Sequence, residues 1–349
     1  MRARPPVLPA FRLLSFWLLL CACVHAQEIR PAASPEYMRR EWRDADGLPS
    51  DEAGSLMIDD DGYLWIATSN ALARFDGKSF ELEKIPTEVS ARGMIYGKLG
   101  PGATRGTFIA LVNSSPNVEV SGGESAGWYR YGPEGFEWVD EPLLAGRAVR
   151  VAFFGPDGAL WLGSEDGALL RCLGDERKLF EPPPGLTGKK LPSFAIDGDQ
   201  QLWVAIASYV ARYENGSWVT VSVDKKDPPL RLGSSQRGGP WLFTRTTVLK
   251  WNEGYFEEHT KLPELLGAHF IHVSTEDVEG HLWIGTRSQG LFRLQDRSLH
   301  HVPTSNDEIF TLVHDRDGNL WAATNGGGIN RLRRRAHRLI DQRSGLTDN

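Results

Sequence analysis

The stretch DDDGYLWIAT at Asp59–Thr68 returns as DRDGNLWAAT at Asp315–Thr324, identical at seven of ten positions. A phrase repeated across almost the whole chain constrains the fold strongly. A short unit that recurs cannot bury its own apolar face, so it must stack on copies of itself. Further copies lie between: FFGPDGALWLGSEDGALLR, AIDGDQQLWVAIASYVARY and HVSTEDVEGHLWIGTRSQGLFRL, with SSQRGGPWLFTRTTVLKW a looser one. Their indoles are Trp65, Trp161, Trp203, Trp241, Trp283 and Trp321, at gaps of 96, 42, 38, 42 and 38 residues. The long gap holds two periods, with Phe108 of GATRGTFIALV in the indole slot. Seven units of about 43 residues result, the period of a β-propeller.

Each unit reads as short strands joined by tight turns. In the last, IFTLVHD is a strand, RDG a hairpin turn, NLWAAT a second strand, NGGG a turn and INRL a third strand. Asp-Gly and Gly-Gly pairs supply the positive φ that tight hairpins need. Twelve Trp and 37 Gly agree with such a chain. The expectation is an all-β, seven-bladed β-propeller of four-stranded antiparallel blades over residues 37–335. Alternation along each second strand turns its Trp toward the neighbouring blade.

The ends read differently. Residues 1–26 combine Arg2, Arg4 and Arg12 with the apolar run Leu13–Val24 and small residues up to Ala26, the pattern of a secretory signal. Residues 27–36 then form a short linker, and the exported chain is periplasmic. Removing three arginines takes the formal charge from −6 to −9, which does not suit a phosphate backbone, so no nucleic acid is expected. LCAC at Leu20–Cys23 offers a rival route, with a lipid on Cys23. Cys172 is then the one remaining thiol, a small apolar side chain that can form no internal disulfide. Gly47-Leu48 in YMRREWRDADGLPSD aligns with Gly345-Leu346 in RAHRLIDQRSGLTDN. Both segments compete for the outer strand of the last blade. The amino-terminal one is expected to close the ring, and residues 336–349 to begin a further repeat of a longer protein.

The phrase DxDGxLWIGTxxGLxRF preceded by DGLPSD resembles the two-component regulator propeller family. The matching stretches are 46–51, 59–76, 157–171, 280–293 and 315–331. The likeness spans residues 37–349; it departs in the second unit, which lacks its Trp and carries an insert, and in the fifth, which lacks the acidic turn. The resemblance implies the periplasmic sensor region of a hybrid histidine kinase or diguanylate cyclase. In that plan two propellers, a β-sandwich and a membrane helix precede the output domain. It further implies a small-molecule or polysaccharide ligand and no catalysis in this chain. Membrane contact would come through a region beyond these residues or through Cys23.

Individual motifs carry less chemistry. The acidic turns Asp59–Gly62 and Asp315–Gly318 have a calcium-loop spacing, but Thr68 and Thr324 stand where a bidentate Glu is needed, so solvated hairpin turns are expected. His269, His272 and His281, then His300 and His301, are clustered in sequence. The pair His269 and His272 falls on opposite faces of a strand, which does not suit a zinc site. NGGGIN lies between strands rather than opening a helix, and Glu165-Asp166 falls in the turn SEDG. No metal or cofactor is expected. RLRRRAHR at Arg331–Arg338 reads as the exposed side of an outer strand. The insert brings Trp128, Tyr129, Tyr131, Phe136 and Trp138, either a strand pair around a Pro-Glu-Gly turn or a platform for sugar rings. Ligand is expected over the face formed by the loops between second and third strands and those entering each blade, with Asn70, Asp166, Arg287 and Asn325 as candidates beside Trp128 and Tyr129. Two other readings stay open: a lyase or lactonase using His269 or His272, and an interaction scaffold able to form a homodimer.

Overall fold

The computed structural model describes residues 30–31, 36–59, 61–68, 71–83, 95–96, 108–110, 127–132, 135–186, 191–223, 227–229, 231–263 and 271–335. Residues 1–29, Cys23 among them, Asn70, His269 and residues 336–349 lie outside them. So do the side chains of Phe108, Tyr129, Tyr131 and Phe136.

Seven sheets follow one another, numbered 1 to 7 in chain order by their first strands: Ala53–Ile58, Ile95–Tyr96, Val149–Phe154, Ser193–Ile196, Arg231–Gly233, Ile271–Glu276 and Ile309–His314. The first strands of sheets 4, 5, 6, 7, 1 and 2 lie side by side in that order around an axis. Sheet 7 takes its outer strand from the other end of the chain. Tyr37–Trp42 pairs antiparallel with Ile329–Arg334, from Tyr37 opposite Arg334 to Trp42 opposite Ile329.

The expectation of a seven-bladed propeller of four-stranded antiparallel blades is corrected to six blades. Regular blades number six: sheets 1, 3, 4, 5, 6 and 7 each carry an indole on the second strand. Sheet 2 is built otherwise. Its inner strands are only two and three residues long, Ile95–Tyr96 and Phe108–Ala110, beside a full hairpin of Gly127–Gly132 and Gly135–Asp140. Without the indole phrase, nothing in this unit enforces the regular meander. Sheet 6 has five strands, because Arg30–Pro31 adds parallel to its outer strand at His300 and His301.

The indoles wedge sheet against sheet. Trp161 is fully buried and meets Tyr213, Trp218 and Phe194 of sheet 4. Trp203 reaches Trp251 and Phe256 of sheet 5. Trp283 meets Tyr37 of sheet 7, and Trp321 meets Phe75 of sheet 1. The apolar clusters follow the same plan, each formed from two adjacent sheets.

The acidic turn has a structural role that the spacing alone did not reveal. Its first Asp accepts the indole N–H six residues later: Asp59 from Trp65 (2.8 Å), Asp197 from Trp203 (2.7 Å), Asp277 from Trp283 (2.9 Å) and Asp315 from Trp321 (2.8 Å). The other carboxylate oxygen accepts backbone N–H groups two and four residues on, as in Asp197 from Asp199 and Gln201. These turns are therefore caps on buried indoles rather than simply solvated hairpins. Where the Asp is lost, the pattern changes. Sheet 5 borrows Glu276 of sheet 6, which accepts from Trp241 Nε1 at 3.1 Å. In sheet 3 Gly155 stands in the slot, and Trp161 Nε1 has no partner among the described residues.

A buried donor left without its acceptor costs about 1–3 kcal/mol. Asp197→Ala is therefore expected to lower stability by about that amount, and Asp197→Asn, which keeps a carbonyl acceptor, by less. Urea unfolding of the two variants checks the order.

Candidate ligand site

The first strands of sheets 1, 3, 6 and 7 enter the ring through the same device, a β-bulge, at Gly54, Arg150, His272 and Phe310. A bulge re-aims the extra residue out of the ladder and is common beside functional sites. All four bulges lie at one end of the ring, where the turns after the second strands also emerge. Register then fixes the neighbours. Ile271 pairs with Thr286, so His272 and Arg287 share the rim of sheet 6. Ile309 pairs with Thr324, so Glu308, Phe310 and Asn325 share the rim of sheet 7. Arg231 opens the first strand of sheet 5 at the same end.

Contacts join these groups across sheets. The rings of His272 and Phe310 meet edge to face at 5.1 Å. Asn325 donates its side-chain N–H to Glu308 (2.8 Å) and its backbone N–H to the Glu308 carbonyl (3.1 Å). Burial first, then the charges of Arg231 and Arg287, push the His272 pKa down to about 4, against the opposing pull of Glu308 and a hydrogen bond to the Ile309 backbone. The imidazole is therefore neutral at pH 7. Its Nδ1 is buried without a partner among the described residues. His272 therefore presents a neutral, half-buried ring at the rim, with its Nδ1 shielded.

The opposite arc is closed by ion pairs. Arg150 pairs with Glu165 at 2.7 Å. Arg147 bridges Asp166 (2.8 Å) and Glu181 (2.8 Å). Burial would raise the Asp166 carboxyl, but bonds from Ser164 and the Ala168 N–H and the charge of Arg147 outweigh it and hold it below the usual range.

The sequence-derived candidates thus separate. Arg287 and Asn325 come together with His272. Asp166 belongs to the ion-paired arc, and its carboxylate is occupied. Trp128 is corrected: it is 7% exposed, packs between sheets 2 and 3, and donates its N–H to the buried Glu141 at 3.2 Å, so it offers no stacking face. Glu141 also takes Arg177, and burial pushes the neighbouring Cys172 thiol up to about 12. The basic run is likewise engaged in part: Arg331 lies over the rings of Trp42 and Trp321 at 5.4 and 5.5 Å. Arg231, Glu308, Phe310 and Arg150 were not singled out from the sequence. The available signal was position, since each begins the first strand of a unit.

Residues 47–70 and 304–326, the first and last units, match the model of the two-component regulator propeller. Comparison with curated proteins finds no match. Among solved structures, this chain is similar to a streptogramin B lyase at 15% identity and a TM-score of 0.66, over 85% of this chain and 97% of the other. It is also similar to virginiamycin B lyase from Staphylococcus aureus (17%, TM-score 0.65, 85% and 99%). A third similar structure is the extracellular domain of a protein assigned as a hybrid two-component system from B. thetaiotaomicron (19%, TM-score 0.62). There the match covers 89% of this chain but 42% of the longer domain. At these identities the likeness is one of fold.

Proposed function

We propose that this chain is the extracytoplasmic, ligand-sensing propeller of a bacterial signalling receptor and binds a carbohydrate at the mouth of sheets 5, 6 and 7. The observation that carries the reading is the convergence of Arg231, His272, Arg287, Glu308, Phe310 and Asn325 at one end of the ring. An aromatic ring beside hydrogen-bonding side chains suits a sugar, whose faces are apolar and whose edges are hydroxyls. The regulator-propeller repeats support the sensor role, because extracellular domains of signalling systems share this fold.

A second reading is a lyase, favoured by the lyase structures that match over nearly their whole length. One of them is a catalytically inactive His-to-Ala variant of the S. aureus enzyme with quinupristin. The shielding of His272 weighs against this role here. Calorimetry against a panel of oligosaccharides, with product analysis of the same mixtures, separates the two. Binding with the sugar recovered intact is expected. Turnover that disappears in His272→Gln would move the assignment to the enzyme, and no binding to any sugar would remove the sensor reading.

A further inference from the structure

We propose that the mouth of sheets 5 to 7 selects an acidic sugar, with Arg287 taking the ligand carboxylate and Phe310 carrying the face of the sugar ring. The inference rests on the ligand-sensing reading above and adds the class of ligand.

The argument starts from which cations are already used. On the closed arc Arg147 and Arg150 are satisfied by Asp166, Glu181 and Glu165. Arg287 differs: it is exposed and makes no ion pair among the described residues. None of the carboxylates near it forms an ion pair with it among the described residues. Glu308 accepts from Asn325. Asp307 is exposed beside the Gly290 turn, and its carbonyl accepts the Gly290 N–H.

Arg231, Arg287 and Glu308 all lie close enough to His272 to be felt by its ring. The neutral imidazole adds no charge of its own at pH 7. A guanidinium presents a planar fork of donors that matches a carboxylate in two places. Phe310 is half-buried, held at its edge by His272, and so is fixed in orientation. A fixed aromatic ring near an unpaired guanidinium can place a pyranose and its carboxylate at once. A neutral sugar would leave Arg287 without a partner.

Trigalacturonate and its fully methyl-esterified form test this, because they differ only in charge at the carboxyl groups. The full chain is expected to bind the acid at least about tenfold more tightly than the ester, with affinity falling as salt rises. Arg287→Gln should remove that preference, and Arg287→Lys should keep part of it. Phe310→Leu should weaken acid and ester alike. Thermal midpoints equal to that of the parent chain show that the variants fold. Equal binding of acid and ester, unchanged in Arg287→Gln, would overturn the acidic-sugar inference while leaving carbohydrate sensing in place. Binding of neutral oligosaccharides alone would have the same meaning. Binding of no sugar, acidic or neutral, would remove both.

Discussion

Trp203→Ala is expected to destabilise the protein by about 3–5 kcal/mol, a large part of the 5–15 kcal/mol typical of a folded domain. Trp203 is 1% exposed and lies between sheets 4 and 5. Its ring meets Trp251 at 4.9 Å and Phe256 at 6.2 Å, both nearly edge to face. Truncation removes those contacts, opens a cavity between two sheets and leaves an oxygen of Asp197 without its 2.7 Å donor. The surroundings relax poorly, because Val204 and Ala205 beside it are themselves buried in the strand. Trp138→Ala is the control. Trp138 is 38% exposed, on the outer strand of sheet 2, and donates to Asp140. Its loss should change stability by no more than about 0.5 kcal/mol. Urea unfolding of both variants reads the difference. A loss below about 1 kcal/mol at Trp203 would mean that the recurring indole is not a wedge between sheets.

Much of this architecture is legible in the sequence, for a physical reason. An indole is too large to be accommodated by chance, so its recurrence at 38 and 42 residues reports the stacking of one sheet on the next. The hairpin turns are legible as well, since Gly62, Gly158, Gly280 and Gly318 stand where φ is positive. Sheet 2 was not legible: Phe108 fills the right slot by counting, yet its strand is three residues long and the regular meander is not repeated there. The indole caps were hidden because an Asp in a turn looks the same whether it faces water or a buried N–H. Glu276 shows the limit clearly, since it caps Trp241 from the following sheet, 35 residues away. The candidate site was legible only in part. Arg287 and Asn325 could be named from their turns. Their partners His272, Glu308 and Phe310 depend on a bulge and a register that no local pattern encodes. Trp128 was read as a sugar platform because its strand lies in an aromatic insert, and aromatic content does not distinguish a buried ring from an exposed one.

A chain that starts at Arg43, and so lacks Tyr37–Trp42, is expected to lose the folded ring as a monomer. Three losses coincide. The six-residue ladder to Ile329–Arg334 disappears, leaving an open edge of the kind that pairs with other chains. Trp321 loses the stacked ring of Trp42 at 5.2 Å, and Phe75 loses its edge contact at 5.3 Å, so the seam between sheets 7 and 1 is stripped. Arg293, only 6% exposed, loses the Tyr37 hydroxyl at 2.6 Å and the Glu36 carboxylate. Gln295 remains as a neutral partner, but a buried guanidinium that loses its carboxylate costs up to about 3–5 kcal/mol. Together with the lost aromatic packing this reaches the whole stability of an ordinary domain. Size-exclusion chromatography should show aggregates or exchanged dimers, and near-UV circular dichroism should lose the signal of the buried indoles. A synthetic peptide of residues 36–43, added in trans, should restore a monomer-sized ring, because the strand supplies pairing and packing without needing to be covalently attached at this edge. If the shortened chain stays monomeric with an unchanged thermal midpoint, the seam between sheets 7 and 1 does not depend on the amino-terminal strand, and closure must be assigned to other contacts.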